Sequence, residues 1–474
     1  MLFNSYEFLF LFLPIVLLGY FGLGRTAHSR LANLWLVLVS LFFYGYWNPK
    51  FLPLLLGSIA MNYIVSWGIL RCRARGQAGM ERLWFWGGIV ANLGLLCYYK
   101  YLGFFLSNLA RLGLDVPMLH VILPLGISFF TITQLLYLLD CHLGTVRDHD
   151  LLDYALFVSF FPHLLAGPIL YHRQMMAQFR DEGRRRVDWD NMTRGFLLFL
   201  VGLAKKVIIA DAFLPVVDPV FAHPEGARLT AAWLAAICYM LQLYFDFSGY
   251  SDMAVGLARM MNFQIPFNFK SPYRATSLIN FWQRWHISLT NAITVLVYQP
   301  LMKKLRTPTF AHMVIASAVT LFLVGIWHGA GWTFVIFAAL HTAGITLNHF
   351  WKHYHLPMHP VLAHVLLLAF ILLTSIFFRA PGTREAVQML HAMAGGYLVD
   401  PALGYLLLSG DVLGKAFPVV PFAIALLLVT FAPASQDFVK RLDVSRPVIV
   451  TAALVLAWII LHLESFTAFL YFQF

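Results

Sequence analysis

The stretch 325-GIWHGAGWTF-334 places a histidine, two tryptophans and three glycines in a run that is otherwise apolar. Imidazole titrates at ~6.5 in water, so His328 has the chemistry of a general base that takes a proton from an alcohol and later returns it. An ionisable ring in an apolar segment costs free energy, and such residues usually face a cavity and mark a path or a site. The alternative is a buried histidine bonded to a neighbouring helix. Gly325, Gly329 and Gly331 weigh toward function, because glycine lets backbone approach a ligand closely. A second candidate is His286 in 280-NFWQRWHISLT-290, beside Trp282, Arg284 and Trp285. Arg284 and His286 are two apart and do not share a helix face. A third stretch, 242-QLYFDFSGYSDMAVGLARM-260, carries Asp246 and Asp252 among aromatics. For these carboxylates a structural or substrate-positioning role is expected, with Arg259 or Arg274 as ion-pair partners.

Other chemical templates fail. The chain has no G-x-S-x-G elbow, no phosphate loop and no dinucleotide fingerprint. In 349-HFWKHYHLPMH-359, His349 and His353 have the i, i+4 spacing of metal ligands, but no carboxylate joins them, so an interfacial segment is expected and no metal. The four cysteines, Cys72, Cys97, Cys141 and Cys238, are far apart and suggest neither a disulfide framework nor a zinc site.

The elements that must position these residues are membrane helices. Of 474 residues, 60% are hydrophobic and 12% charged, whereas a soluble chain carries about a quarter charged residues. The mean hydropathy is +0.73. Apolar blocks suited to spanning run over 8–24, 31–47, 51–70, 83–107, 118–140, 196–217, 231–246, 311–328, 332–351, 361–378, 416–433 and 447–465. The alternating ten-residue segments of a membrane β-barrel are absent. The expected class is therefore an all-α polytopic membrane protein, a single domain over 1–474. The net charge of +11, from 33 Lys+Arg less 22 Asp+Glu, is read as the topology signal of cytoplasmic loops, not as a nucleic-acid surface.

The N-terminus lacks a basic region before its apolar run and reads as a retained first helix, with Arg25 and Arg30 on the cytoplasmic side. Counting crossings from there makes both flanks of 151–170 cytoplasmic. That block holds Pro162, Gly167 and Pro168, so it is expected to be re-entrant. The segment 287–302, with Arg284 before it and Lys303, Lys304 and Arg306 after it, reads the same way. Two such segments argue for a central cavity.

The ordered set 158-SFFPHLLAGPI-169, 244-YFDFSGYSDMAVGLARM-260, 281-FWQRWHISLT-290, 325-GIWHGAGWTF-334 and 471-YFQF-474 resembles the membrane-bound O-acyltransferase (MBOAT) family, in the branch that acetylates bacterial exopolysaccharides such as alginate. The resemblance covers essentially the whole chain. It implies a ring of about a dozen transmembrane helices around a funnel joining the two membrane sides. It also implies that His328 is the essential histidine and His286 the second. The acyl donor would be acetyl-CoA from the cytoplasm, with no permanently bound cofactor. A periplasmic partner, such as an SGNH-type acetyltransferase, would finish transfer to the polymer, and the chain would lie in the bacterial inner membrane. Trp285 and Trp327, which flank the histidines, join the substrate-binding candidates with Asp246 and Asp252. Arg284, Lys303 and Lys304 either meet coenzyme A phosphates or only set topology. The chain departs from the family pattern at 289-LTNAITVLVYQPLMKKLR-306, which leaves the acceptor open among alginate, cellulose and other exopolysaccharides. Two alternatives stand beside this reading: a proton-relaying transporter or flippase of acyl or glycan units, and an acyltransferase for another acceptor such as teichoic acid.

Overall fold

A computed structural model describes all residues except 27–29, 118, 120, 147–148, 306, 397–410, 413–414, 464–468 and 471–474. Arg306 and the terminal 471-YFQF-474 motif therefore lie outside the described residues. The described chain is helical, save for a two-residue antiparallel pairing of Asp411–Val412 with Lys415–Ala416. Among the described residues seven helices are long and apolar enough to cross a bilayer: Glu7–Gly24, Pro49–Ala74, Ala78–Arg111, Leu229–Met260, Phe310–His328, Trp332–His353 and Pro360–Arg379. An eighth arises if Val419–Phe431 and Ser435–Arg441, bent by 78°, form one span. Of the remaining apolar blocks, 31–47 forms the unbroken helix Arg30–Trp47, and the others give shorter or broken helices. The 196–217 block is interrupted by a π turn at Lys205–Ala210 and a 3-10 turn at Asp211–Phe213 before Leu214–Ala222 resumes with Pro215 in its first turn.

The chain divides into two compact units, each described here by itself: residues 1–200 with 251–267, and residues 201–250 with 268–474. In the first unit the 151–170 block is broken, as its prolines and glycine predict. Leu151–Ser159 is capped by the Asp150 side chain, which accepts from the Asp153 N–H at 3.0 Å. The helix ends at Phe160, and a single turn, Phe161–Leu164, follows around Pro162. Every residue from Leu156 to Leu170 is buried, so this irregular backbone is satisfied by protein rather than lipid. The Phe161 N–H donates to Ser40 Oγ at 3.1 Å, and the His163 ring meets the Phe157 carbonyl at 2.9 Å. Asn62 and Asn92 exchange side-chain amide bonds at 3.1 and 2.7 Å, a polar tie between the Leu52–Ala74 and Ala78–Leu96 helices.

Helix backbones approach one another closely at Gly195 and Gly256. A Cβ on Gly256 would lie 2.6 Å from the Gly195 carbonyl oxygen, and one on Gly195 would lie 2.7 Å from that of Gly256. Small residues at such crossings are how membrane helices gain packing without a hydrophobic driving force between them. Gly256→Leu is expected to lower stability by roughly 1–3 kcal/mol or more through overpacking, read as an earlier thermal unfolding transition in detergent.

In the second unit, Phe310–His328 and Trp332–His353 form a helical hairpin joined by residues 329–331, and Pro360–Arg379 packs on its second arm. Thr309 and His312 form a capping box at the start of the hairpin. At its open end Phe310 stacks on His353, ring centres 3.9 Å apart. The segment after His286 is helical throughout, through Ile287–Ile293, a π turn at Thr294–Tyr298 and Gln299–Lys303. The irregular backbone expected within 287–302 lies instead just before it. Its only proline, Pro300, falls in a first turn where the missing N–H costs little.

Lys206 is buried with its Nζ 2.7 Å from Asp211 and 2.8 Å from Asp246. Asp246 also accepts the Leu470 N–H at 3.0 Å, and Lys206 lies 5.0 Å from the centre of the Phe469 ring. Removing one partner of a buried ion pair leaves an uncompensated charge. Lys206→Met is expected to cost about 3–5 kcal/mol, measured as loss of the folded fraction at a temperature the parent chain tolerates.

Candidate active site

His328 is the last residue of its helix, because Gly329 follows in extended backbone. The glycines around it do a different job from the one their composition suggests. A Cβ on Gly325 would lie 2.6 Å from Ala338 Cα, and one on Gly329 would strike the Phe334 ring. These two glycines bring the hairpin's own arms together; of the three, only Gly331 would hold a Cβ at ordinary contact distance, 3.7 Å from the Phe334 ring. The His328 ring is thereby held, 5% exposed, among aromatic edges: Trp327 and Phe378 at 5.2 Å and Phe337 at 6.4 Å.

His286 reaches the same place from another element. It precedes Ile287–Ile293 with φ +44° and ψ 50°, a left-handed conformation uncommon for a residue with a Cβ. Asn268 fixes this turn. Its carbonyl accepts the Ile287 N–H at 3.0 Å, and its side-chain oxygen accepts from the Ser288 N–H at 3.2 Å and the Ser288 hydroxyl at 2.5 Å. The His286 ring is fully buried, with Phe247 edge-on at 4.8 Å. Its centre lies 6.5 Å from that of His328. That separation is too long for the rings to hydrogen-bond directly.

A cavity of about 40 Å³ adjoins His328, room for a few heavy atoms. Its polar lining comes from His328, His341, Thr374, Ser375 and the indoles of Trp282 and Trp285; its apolar lining includes Met240, Leu243, Phe337 and Phe378. Trp285 is held by Phe281, stacked at 5.6 Å, and by Phe269, edge-on at 5.1 Å.

The other residues singled out in the sequence lie apart from this cavity. Arg284 donates to Asn280 Oδ1 at 3.0 Å and to the Lys270 carbonyl at 3.3 Å, bracing the turn that carries His286. Trp327 packs against His328 and, at 6.3 Å, His286. Lys303 and Lys304 are exposed at the end of their helix. Asp246 is bound to Lys206 rather than to Arg259 or Arg274, and Arg259 reaches Asp190 at 3.5 Å. Asp252 is buried in the first unit.

Sequence reasoning passed over His341, which sits mid-helix in 332-WTFVIFAALHTAG-344 and is 2% exposed. The signal was present, since the cost argument applied to His328 applies equally to a histidine ten residues into an apolar helix.

The arrangement is two buried imidazoles, ring centres 6.5 Å apart, one of which lines a small cavity in a helical membrane protein. Residues 78–379 match the model of MBOAT, the membrane-bound O-acyltransferase family, and the chain belongs to that family. It is 40% identical to the peptidoglycan O-acetyltransferase of Helicobacter pylori, over 83% of this chain and 80% of the relative. It is 37% identical to the probable alginate O-acetylase AlgI of Pseudomonas aeruginosa, over 83% and 75%. A teichoic acid D-alanyltransferase of Bacillus subtilis matches at 25% over 73% and 86%. The chain is thus a multi-pass membrane O-acyltransferase, and the transporter alternative falls away.

The Gly325 contact yields a prediction. Gly325→Val must part the hairpin at Ala338, displacing His328, so acyl transfer is expected to fall at least about tenfold even where the protein still folds, since small misplacements of a reacting group are costly. Initial rates normalised to folded protein measure it.

Proposed function

We propose that the chain takes an acetyl group from acetyl-CoA on the cytoplasmic side of the bacterial inner membrane and passes it outward for O-acetylation of a cell-surface polysaccharide. A periplasmic acetyltransferase of SGNH type, or another polymer-modifying protein, completes the transfer. The observation that supports this reading is the buried His328 lining a cavity, with the buried ring of His286 6.5 Å from it. The names of the relatives support polysaccharide acetylation, and the 40% identical peptidoglycan enzyme adds peptidoglycan to alginate, cellulose and similar polymers as acceptor.

In this mechanism a ring nitrogen of His328 takes the proton of the acceptor hydroxyl as its oxygen forms a bond to the thioester carbonyl carbon. The tetrahedral oxyanion collapses, the carbon–sulfur bond breaks, and the departing thiolate takes the proton from His328 to leave as the coenzyme A thiol. The products are an acetyl ester and a thiol, and the protein is unchanged. His286, or peptide N–H groups at residues 329–331, supplies donors to the oxyanion. The exposed Lys303 and Lys304 suit the phosphates of coenzyme A, with Arg284 beside the His286 turn.

Membrane vesicles given acetyl-CoA test the assignment. The parent chain is expected to release free thiol, and His328→Gln to lose ~10²–10⁴ of that rate, the usual contribution of a positioned base. His286→Ala is expected to lose a comparable part. Thiol release undiminished in folded His328→Gln overturns the role of His328.

A further inference from the structure

The cavity beside His328 contains a second polar group that the mechanism above does not use. His341 projects from the Trp332–His353 helix, and its Nε2 lies 3.0 Å from the Thr374 hydroxyl oxygen. That hydroxyl has one proton, and the carbonyl oxygen of Phe370, which can only accept, lies 2.8 Å from it. Thr374 therefore gives its proton to Phe370 and accepts from His341, so the His341 Nε2 carries hydrogen. The tautomer leaves Nδ1 with a lone pair. That atom has no hydrogen-bond partner among the described residues, and neither does the indole N–H of Trp282.

Trp282 is 5% exposed, and its ring meets that of His341 at 5.4 Å in a T-shaped contact. Both residues line the cavity. An unsatisfied buried donor or acceptor costs roughly 1–3 kcal/mol, and two in one cavity wall call for an explanation. One is an acceptor and the other a donor. A carbonyl would satisfy only the indole and an ammonium only the imidazole, whereas an O–H group satisfies both.

We infer that His341 and Trp282 form a hydroxyl-binding subsite, in which an O–H group donates to His341 Nδ1 and accepts from the Trp282 indole. This subsite is distinct from the position of the reacting hydroxyl. Phe337 packs on both histidines, 6.4 Å from His328 and 4.3 Å from His341. The bound O–H is a second, non-reacting hydroxyl, supplied by the acceptor or by a held water. The inference rests on the acyltransferase reading, and His341 acts in it as a binding residue.

The test uses membrane vesicles, radiolabelled acetyl-CoA, and alginate oligosaccharides or peptidoglycan fragments as acceptors together with the periplasmic fraction that supplies the partner, with the parent chain, His341→Gln and Trp282→Phe. Trp282→Phe keeps an aromatic ring in the wall while removing the N–H and part of the indole's bulk, so with folded protein as its control it carries the test where His341→Gln folds poorly. If the acceptor supplies the hydroxyl, both variants lose about tenfold in kcat/KM for the acceptor, the scale of one lost hydrogen bond, while KM for acetyl-CoA holds. If water supplies it, kcat falls and both KM values hold. The inference is overturned if folded variants keep every constant within twofold, or if donor and acceptor constants fall together with thermal stability. A parent chain that acetylates neither acceptor nor releases thiol overturns the acyltransferase reading itself, a result distinct from variants that match an active parent.

Discussion

Lys206, buried between Asp211 and Asp246, sets the rotation of the helix that backs the active site. In a medium without water, an ammonium and two carboxylates have no acceptable arrangement except against one another. The Leu229–Met260 helix therefore turns Asp246 toward Lys206, and one turn later Tyr250 packs edge-on to Phe469 at 4.7 Å. With that side fixed, Met240, Leu243 and Phe247, spaced three and four apart, fall on the neighbouring side. The first two line the cavity and the third packs on His286. The same pair orders a piece of the C-terminal region, since Asp246 holds the peptide N–H of Leu470.

The site itself is assembled from elements fastened by different means. The hairpin that bears His328 and His341 is clamped by glycine contacts near its closed end and by the Phe310–His353 stack at the other. The turn that bears His286 is held by hydrogen bonds to Asn268 and by Arg284. Aromatic edges fill most of the space between. Such a setting leaves little room for water, which strengthens each remaining polar interaction. Rates then depend on how well the rings are aimed more than on how many polar groups are present.

Much of this was legible in the sequence. The class of protein followed from the length and placing of apolar blocks, and the break at Phe160 followed from Pro162 and Gly167. His328 and His286 stood out because an ionisable ring in an apolar run is costly. What the sequence hid has physical causes. The glycines beside His328 look the same whether they admit a ligand or a neighbouring helix, and only the Ala338 and Phe334 contacts distinguish the two. Asp246 had basic residues nearer in sequence than Lys206, and nothing in linear spacing reveals that a lysine forty residues upstream is the partner. His341 was masked by its surroundings, a helix with no other chemistry to draw attention to it. The bent and interrupted helices also escaped notice, because hydropathy records composition and is blind to a π turn.

The left-handed backbone at His286 has a consequence for where active-site geometry is stored. A side chain in that conformation costs about 1–2 kcal/mol relative to the right-handed region, so the ring is aimed by a peptide unit that relaxes once its restraints are removed. Those restraints converge on Asn268, a buried amide in a loop between two helices. The direction of the imidazole is thus encoded eighteen residues away, in the hydrogen bonds of a side chain on another element.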